Sequence, residues 1–110
     1  MNLTITESDD NRTVIQLADA RLDAAIATRF KDKMRAVTGS RHGAVILDMS
    51  CVDFMDSSGL GAIIAARKNM PDGADLQIAG LTQNVARVFK LTKMDTIFTI
   101  HDTIAPGPAE

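Results

Sequence analysis

Residues 45–64 have the sequence VILDMSCVDFMDSSGLGAII, and this stretch decides how the chain folds. It opens with a short apolar run, which is typical of a strand that is buried on both faces. It closes with apolar residues at helical spacing, beginning at Leu60. Asp56, Ser57, Ser58 and Gly59 lie directly before this helical pattern and Gly61 lies in its first turn, so that a loop must end and a helix must begin there.

The flanking sequence predicts further strands and helices around this unit. Residues 3–18 alternate between apolar and polar side chains on both sides of the turn ESDDN, which favours a β-hairpin. A helix is predicted from Asp23, with Asp23 as the cap of its first turn and Gly39 as a left-handed C-cap. The remaining predicted elements are a strand over residues 74–80, a helix capped by Thr82 and a last strand over residues 96–100.

The predicted order of elements, β-β-α-β-α-β-α-β, belongs to the α/β class. Right-handed crossovers place the helices largely on one face of a mixed sheet of about five strands. Neither GxGxxG nor GxxxxGK[ST] occurs, which argues against the nucleotide-binding members of this class. We expect one domain over residues 1–110, because cores of roughly 100–150 residues are common, and we expect residues 102–110 to fray.

Composition narrows the classes of function. The net charge is −2, whereas a protein that binds nucleic acid electrostatically carries a basic stripe. No apolar run approaches the ~20 residues that cross a bilayer, and the N-terminus does not resemble a targeting peptide. A single cysteine, Cys51, rules out an internal disulfide framework. We therefore expect a cytoplasmic protein that neither binds nucleic acid directly nor inserts into a membrane.

Ser57 and Ser58 stand where the second helix begins. In the simplest interpretation Ser57 is the N-cap residue, and its hydroxyl is turned toward the amide of Gly59 or Leu60. Capping does not explain Gly59 and Gly61, each of which costs about 1 kcal/mol relative to alanine inside a helix. One glycine could serve close packing against a strand. Together, the two glycines and two serines leave the helix end almost bare, so that another protein can approach closely.

Ser57 could be a catalytic nucleophile, or it could be the substrate of another enzyme. A nucleophilic serine needs a base within hydrogen-bond reach, yet the chain has only His42 and His101, and no GxSxG motif surrounds Ser57. A phosphoryl group on Ser57 would instead add about −1.5 to −2 charges at a helix N-terminus, where backbone amides favour it. The fold would stay intact, while a partner docking its own carboxylates beside Asp56 and Asp23 would be repelled.

Residues 45–64 closely resemble the motif of the STAS domain, in the group of the anti-sigma factor antagonists. RLDAAIATRF (residues 21–30) and LQIAGLTQNVARVFKLTKMDTIFTI (residues 76–100) resemble further parts of this family, so that the similarity runs from residue 3 to about residue 100. Ala20 departs from the family pattern because it occupies a glycine position. Where most members continue into a further short helix, this sequence continues into IAPGPAE.

The resemblance implies a partner-switching mechanism. In the family, an anti-sigma factor with a histidine-kinase-like ATPase fold phosphorylates the serine that corresponds to Ser57. The unphosphorylated protein binds this serine kinase and frees the sigma factor, the phosphorylated protein releases it, and a serine phosphatase restores binding. The resemblance further implies partner-binding roles for Asp23, Asp56, Ser58 and Gly59. ATP and magnesium would belong to the kinase, so that this chain would need no cofactor or metal and would not be an enzyme.

An alternative within the same family is a STAS module that serves as a non-switching adaptor or structural subunit of a transport or signalling complex. A phosphorylatable hydroxyl at Ser57 and an open approach over the glycines favour the switch, because an adaptor needs neither. The oligomeric state does not follow from the sequence, and a monomer is the default expectation.

Overall fold

A computed structural model describes residues 3–7, 13–39 and 43–101 of the chain, the first of these segments as backbone only. In chain order the elements are β1 (Leu3–Glu7), β2 (Thr13–Leu17), β3 (Arg21–Leu22), α1 (Ala27–Thr38), β4 (Gly43–Asp48), β5 (Phe54–Met55), α2 (Ser57–Lys68), β6 (Ala74–Ala79), α3 (Gln83–Leu91) and β7 (Ile100–His101). A short 3₁₀ helix, Met94–Thr96, connects α3 to β7. His42 and the tail over residues 102–110 lie outside the described residues.

Five strands form the main sheet, in the order β1-β2-β4-β6-β7. Strands β1 and β2 are antiparallel, as the predicted hairpin requires, and the other neighbouring strands are parallel. Strands β3 and β5 form a separate two-stranded parallel sheet. The predicted mixed α/β fold is therefore confirmed. The small sheet is an addition, because strands of two residues are too short to leave a periodic pattern in the sequence.

One face of the main sheet carries the hydrophobic core. The strand register pairs Ile15 with Leu47 and Leu47 with Ile78, and all three side chains are fully buried. Buried side chains from all three helices join the same cluster, among them Phe30 of α1, Ile63 of α2 and Phe89 of α3. On the opposite face Gln16 and Gln77 remain half-buried. The helices therefore cover one face of the sheet.

Two local predictions are wrong. Gly39 ends α1 in the right-handed region, with φ −60°, and forms no left-handed cap. The Thr38 hydroxyl donates to the carbonyl of Met34, one turn earlier in α1, at 2.6 Å. Residues 96–100 are mostly not a strand, because Phe98 turns inward and packs edge-to-face on Phe89, with ring centroids 5.9 Å apart.

The parallel strands β4 and β6 end at the same edge of the main sheet. The chain that leaves β4 passes through β5 into α2, and the chain that leaves β6 enters α3, so both helices begin at this edge. Helix α1 packs beside α2. The fold thus collects the start of α2, the start of α3 and the loop between β3 and α1 in one region.

Candidate functional site

Helix α2 begins at Ser57, and Asp56 is its N-cap residue. The Oδ1 atom of Asp56 accepts a hydrogen bond from the amide of Gly59 at 2.9 Å, and the Asp56 carbonyl accepts from the amide of Leu60 at 3.0 Å. The prediction that Ser57 caps this helix is therefore wrong. As the N-cap, the Asp56 carboxylate satisfies an amide and also places a negative charge at the positive end of the helix dipole.

Ser57 and Ser58 are both exposed in the first turn of α2. Because Asp56 provides the cap, the Ser57 hydroxyl is not needed to hold the helix end. Amides in the first turn of a helix have no intrahelical partner, so a phosphoryl group on Ser57 would lie beside amide donors. The hydroxyl is therefore accessible to another protein, and a change of its charge need not disturb the helix.

The two glycines of this helix have different surroundings. A Cβ atom on Gly59 would overlap the carbonyl oxygen of Leu22, so glycine at this position lets α2 approach β3 closely. A Cβ atom on Gly61 would meet no atom within 4 Å, and Gly61 is exposed. Internal packing thus accounts for Gly59. Gly61 leaves the outer surface of the helix bare.

The Asp56 carboxylate also reaches the loop between β3 and α1. Its Oδ2 atom accepts from the amide of Ala24 at 3.2 Å, so that one side chain joins the start of α2 to this loop. Within the loop, Oδ1 of Asp23 accepts from the amide of Ala25 at 3.1 Å. The prediction that Asp23 caps α1 is wrong in this detail, because the helix begins only at Ala27 and Asp23 caps the turn before it.

Arg21 and Phe54 are paired across the small sheet. The central carbon of the Arg21 guanidinium lies 4.4 Å from the centroid of the Phe54 ring, and Arg21 Nε donates to Asp23 Oδ2 at 3.2 Å. Phe54 nevertheless keeps 41% of its surface exposed. This pair was not predicted from the sequence. Phe54 and its buried neighbour Met55 are both apolar, and only the pairing of β3 with β5 decides which side chain faces outward.

The surface near Ser57 is acidic. The segments 19–26 and 50–58 contribute four aspartates, namely Asp19, Asp23, Asp53 and Asp56, and one basic residue, Arg21. A shallow, open depression of about 330 Å³ lies along the first of these segments and is lined partly by Asp19, Arg21 and Asp23. The excess of aspartates favours a partner that presents basic side chains to this region.

The start of α3 is tied to the loop that precedes β5. Thr82 occupies the N-cap position of α3, as predicted, but its hydroxyl donates to the carbonyl of Val52 at 2.7 Å and does not cap the helix. Asn84 Nδ2 donates to the carbonyl of Asp53 at 3.4 Å. These two bonds hold the loop that connects β4 to β5. This loop leads through β5 to Ser57 at the start of α2.

Of the two histidines that could serve as a base for Ser57, only His101 lies within the described residues. His101 lies on β7, where its Nε2 atom pairs with Gln77 Oε1 at 2.8 Å, and β7 is the outer strand beside β6. The described residues contain no group of three His, Cys, Asp or Glu side chains that could hold a metal ion. In the described part of the chain, no helix has the length and apolar character needed to span a bilayer.

Comparison with known proteins agrees with this fold. The model of the STAS domain matches residues 2–106. An anti-sigma-B factor antagonist of Listeria monocytogenes is 29% identical over 102 residues, which cover 91% of this chain and 88% of that protein.

Solved structures show the same architecture. An anti-sigma factor antagonist from Mycobacterium paratuberculosis matches with a TM-score of 0.82 at 21% identity, over 94% of this chain and 86% of that chain. The Bacillus cell fate determinant SpoIIAA in its phosphorylated form matches with a TM-score of 0.65 at 18% identity, over 94% of this chain and 93% of that chain. Since the family match spans nearly the whole sequence, the chain belongs to the STAS domain family, and its relative from Listeria is an anti-sigma factor antagonist.

Proposed function

We propose that this chain is a cytoplasmic, phosphorylation-switched anti-sigma factor antagonist. Unphosphorylated, it binds an anti-sigma factor that has a histidine-kinase-like ATPase fold and acts as a serine kinase. Phosphorylation of Ser57 releases this kinase, and a serine phosphatase restores binding, so that transcription is regulated by partner switching. The observation that carries the proposal is the exposed position of Ser57 at the start of a helix that Asp56 caps.

The chain contributes a substrate hydroxyl and a docking surface. In the transfer step the Ser57 oxygen bonds to the γ-phosphorus of ATP, its proton passes to a base of the kinase, and ADP leaves. The nucleotide, the magnesium ion and the base all belong to the kinase. On this chain, Asp23, Asp56 and Ser58 lie on the surface that the kinase covers, while Gly59 sets how closely α2 packs on β3.

Release follows from the charge that the transfer leaves behind. Before transfer, the Ser57 hydroxyl must lie against the phosphates of ATP and the base of the kinase. After transfer, a phosphoserine with about −1.5 to −2 charges faces the phosphates of ADP and that same base. Like charges placed together across an interface cost several kcal/mol, so binding weakens sharply. The fold itself is undisturbed, because the first-turn amides of α2 favour the new negative charge.

Two kinds of support agree with this proposal. The relative from Listeria monocytogenes is named an anti-sigma-B factor antagonist, and the Bacillus protein SpoIIAA, which shares the fold, has been solved in a phosphorylated form. The acidic surface around Ser57 also has the character expected of a specific docking site, with Asp23 and Asp56 both held in place by backbone amides.

The experiment combines phosphorylation with binding. The full chain is incubated with ATP, magnesium and the candidate anti-sigma kinase, and the phosphorylated residue is identified by mass spectrometry. We expect phosphate on Ser57 in the wild type and in the control variant Ser58→Ala, and none in Ser57→Ala. In a binding assay Ser57→Ala should retain the kinase, whereas Ser57→Asp should weaken binding by at least about 10-fold, which corresponds to roughly 1.4 kcal/mol.

Other outcomes assign the chain to a different class. Equal binding of the kinase by the wild type, Ser57→Ala and Ser57→Asp would favour the adaptor, which has no phosphorylation switch. Hydrolysis of an ester or a nucleotide by the purified chain alone, lost in Ser57→Ala, would identify an enzyme.

A further inference from the structure

Three large apolar side chains stand out as exposed among the described residues: Phe54 at 41%, Ile97 at 48% and Leu91 at 76%. Leu91 ends α3, and Ile97 directly follows the 3₁₀ helix. Helix α3 begins beside the loop that precedes β5 and is nine residues long, so that Leu91 lies about 13 Å further along it. Phe54 differs from the other two, because it belongs to the strand that leads directly into Ser57.

The exposed ring of Phe54 is held in position. The Arg21 guanidinium covers one side of the ring, with its central carbon 4.4 Å from the centroid. Arg21 Nε in turn donates to Asp23 Oδ2 at 3.2 Å, and the other oxygen of Asp23 accepts from the amide of Ala25. The ring is thus fixed through a series of contacts that ends on the backbone. An aromatic side chain that is ordered before binding loses less conformational entropy when a partner covers it.

Phe54 lies close enough to Ser57 to fall within an interface that is centred on this serine. Ser57 lies three positions after Phe54 in the sequence, and even a fully extended chain of that length spans no more than about 11 Å. A stable interface covers about 800 Å² of each protein, which corresponds to a disc of roughly 16 Å radius. An interface of this size that is centred on Ser57 therefore extends far enough to include Phe54.

We propose that Phe54 is the apolar anchor of the kinase interface and that Arg21 is the positioning residue that holds its ring; this inference rests on the function proposed above. Well-packed aromatic side chains near the centre of an interface carry a large share of binding energy. The complementary surface on the kinase is an apolar pocket rimmed by arginine or lysine side chains, because the exposed Asp53 directly precedes Phe54 and Asp23 pairs with the Arg21 that covers its ring.

The test compares Phe54→Ala with Ile97→Ala, a matched control at a side chain of similar exposure. For each full-length variant we would measure the Kd for the kinase and the KM and kcat of Ser57 phosphorylation. We expect Phe54→Ala to raise Kd and KM by about 30-fold, the loss typical of a central aromatic anchor, with kcat changed by less than about 3-fold. Ile97→Ala should leave all three values within about 2-fold of the wild type. If Phe54→Ala does not fold, Phe54→Leu takes its place, with an expected rise of about 3-fold or more in Kd.

A double-mutant cycle tests the role of Arg21. Arg21→Gln should raise Kd in the wild-type background, yet change it much less in the Phe54→Ala background, because Arg21 acts through the ring. An effect of equal size in both backgrounds would show that Arg21 contacts the kinase by itself and would overturn its positioning role.

The experiments distinguish an error in the proposed role of Phe54 from an error in the proposed function. A wild-type chain that is phosphorylated on Ser57, together with a Phe54→Ala variant that binds and reacts as the wild type does, overturns the anchor alone. A wild-type chain that neither binds nor is phosphorylated overturns the proposed function, and the anchor with it.

Discussion

The side chain of Asp56 is bonded to the backbone of Ala24, with Oδ2 accepting from the Ala24 amide at 3.2 Å while Oδ1 caps α2 through Gly59. One carboxylate therefore sets both the start of the helix and the position of the loop between β3 and α1. Substituting Asp56 by alanine should lower the free energy of unfolding by about 1–2 kcal/mol, since a helix cap and a tertiary hydrogen bond are both lost. Urea denaturation of the variant and the wild type measures this difference in the free energy of unfolding.

Substituting Asp56 by asparagine distinguishes the contributions of the two hydrogen bonds that the carboxylate accepts, one from Gly59 and one from Ala24. The Asp56→Asn variant keeps one oxygen that can cap α2 through Gly59, but its second group is an NH₂, which cannot accept from the Ala24 amide. We expect a loss of about 0.5–1.5 kcal/mol in the free energy of unfolding, smaller than for alanine. Equal stability of the alanine, asparagine and wild-type chains would show that neither bond contributes.

Substitution by alanine should lower the free energy of unfolding at Gly59 and raise it at Gly61. Gly59→Ala places a Cβ atom into the carbonyl of Leu22, and forcing atoms into a packed region costs about 1–3 kcal/mol or more. Gly61→Ala meets no neighbour, so it should raise the free energy of unfolding by about 0.4–1 kcal/mol, because alanine restricts the unfolded chain and favours the helix. Urea unfolding of the two variants side by side checks both signs. A Gly59→Ala variant as stable as the wild type would contradict the close approach of α2 to β3.

Ser57→Ala should change the free energy of unfolding by less than about 0.5 kcal/mol, as is usual for exposed positions without a structural bond. Ser58→Ala, in the same exposed turn, provides the control. If Ser57 were the N-cap residue, its substitution by alanine would instead cost about 1 kcal/mol. Thermal and urea unfolding thus test the assignment of the cap to Asp56 and, at the same time, show that phosphorylation-blocking variants are folded.

Thr82 ties the start of α3 to the loop that precedes β5. Its hydroxyl donates to the carbonyl of Val52 at 2.7 Å. Thr82→Val keeps the shape of the side chain but leaves this carbonyl without its donor, which should cost about 1–3 kcal/mol in the free energy of unfolding. Thr82→Ser retains the hydroxyl and should cost less. If valine is tolerated as well as serine, the bond does not hold the loop before β5.

Much of the fold could be predicted from periodicity. Alternation over residues 3–18 indicated the hairpin of β1 and β2, the short apolar run in residues 44–49 indicated β4, and the segment 74–80 indicated β6. These elements bury whole faces, so their sequences are constrained at every second or every third to fourth position. The failures fall where that constraint is weak, as at residues 96–100, where one buried ring, Phe98, and a 3₁₀ turn replace most of the expected strand.

The candidate site was predictable in part. The serines and glycines at residues 57–61 could be recognised as a helix start with an exposed hydroxyl, because few side chains are compatible with such a bare end. The cap was assigned to the wrong residue, since aspartate and serine are both good N-cap residues and adjacent positions cannot be separated by preference alone. Only the structure, with Asp56 bonded to both Gly59 and Ala24, distinguishes them.

The sequence alone determined the α/β class, the order of its major elements and the location of Ser57 at the beginning of a helix, because these depend on local spacing and turn chemistry. Tertiary structure decided that Gly59 packs against Leu22, that Asp56 reaches Ala24, and that Arg21 covers Phe54. Each of these contacts joins residues about 30 or more positions apart in the chain. No local preference encodes such a pairing, which arises only when β3 and β5 come together beside α2.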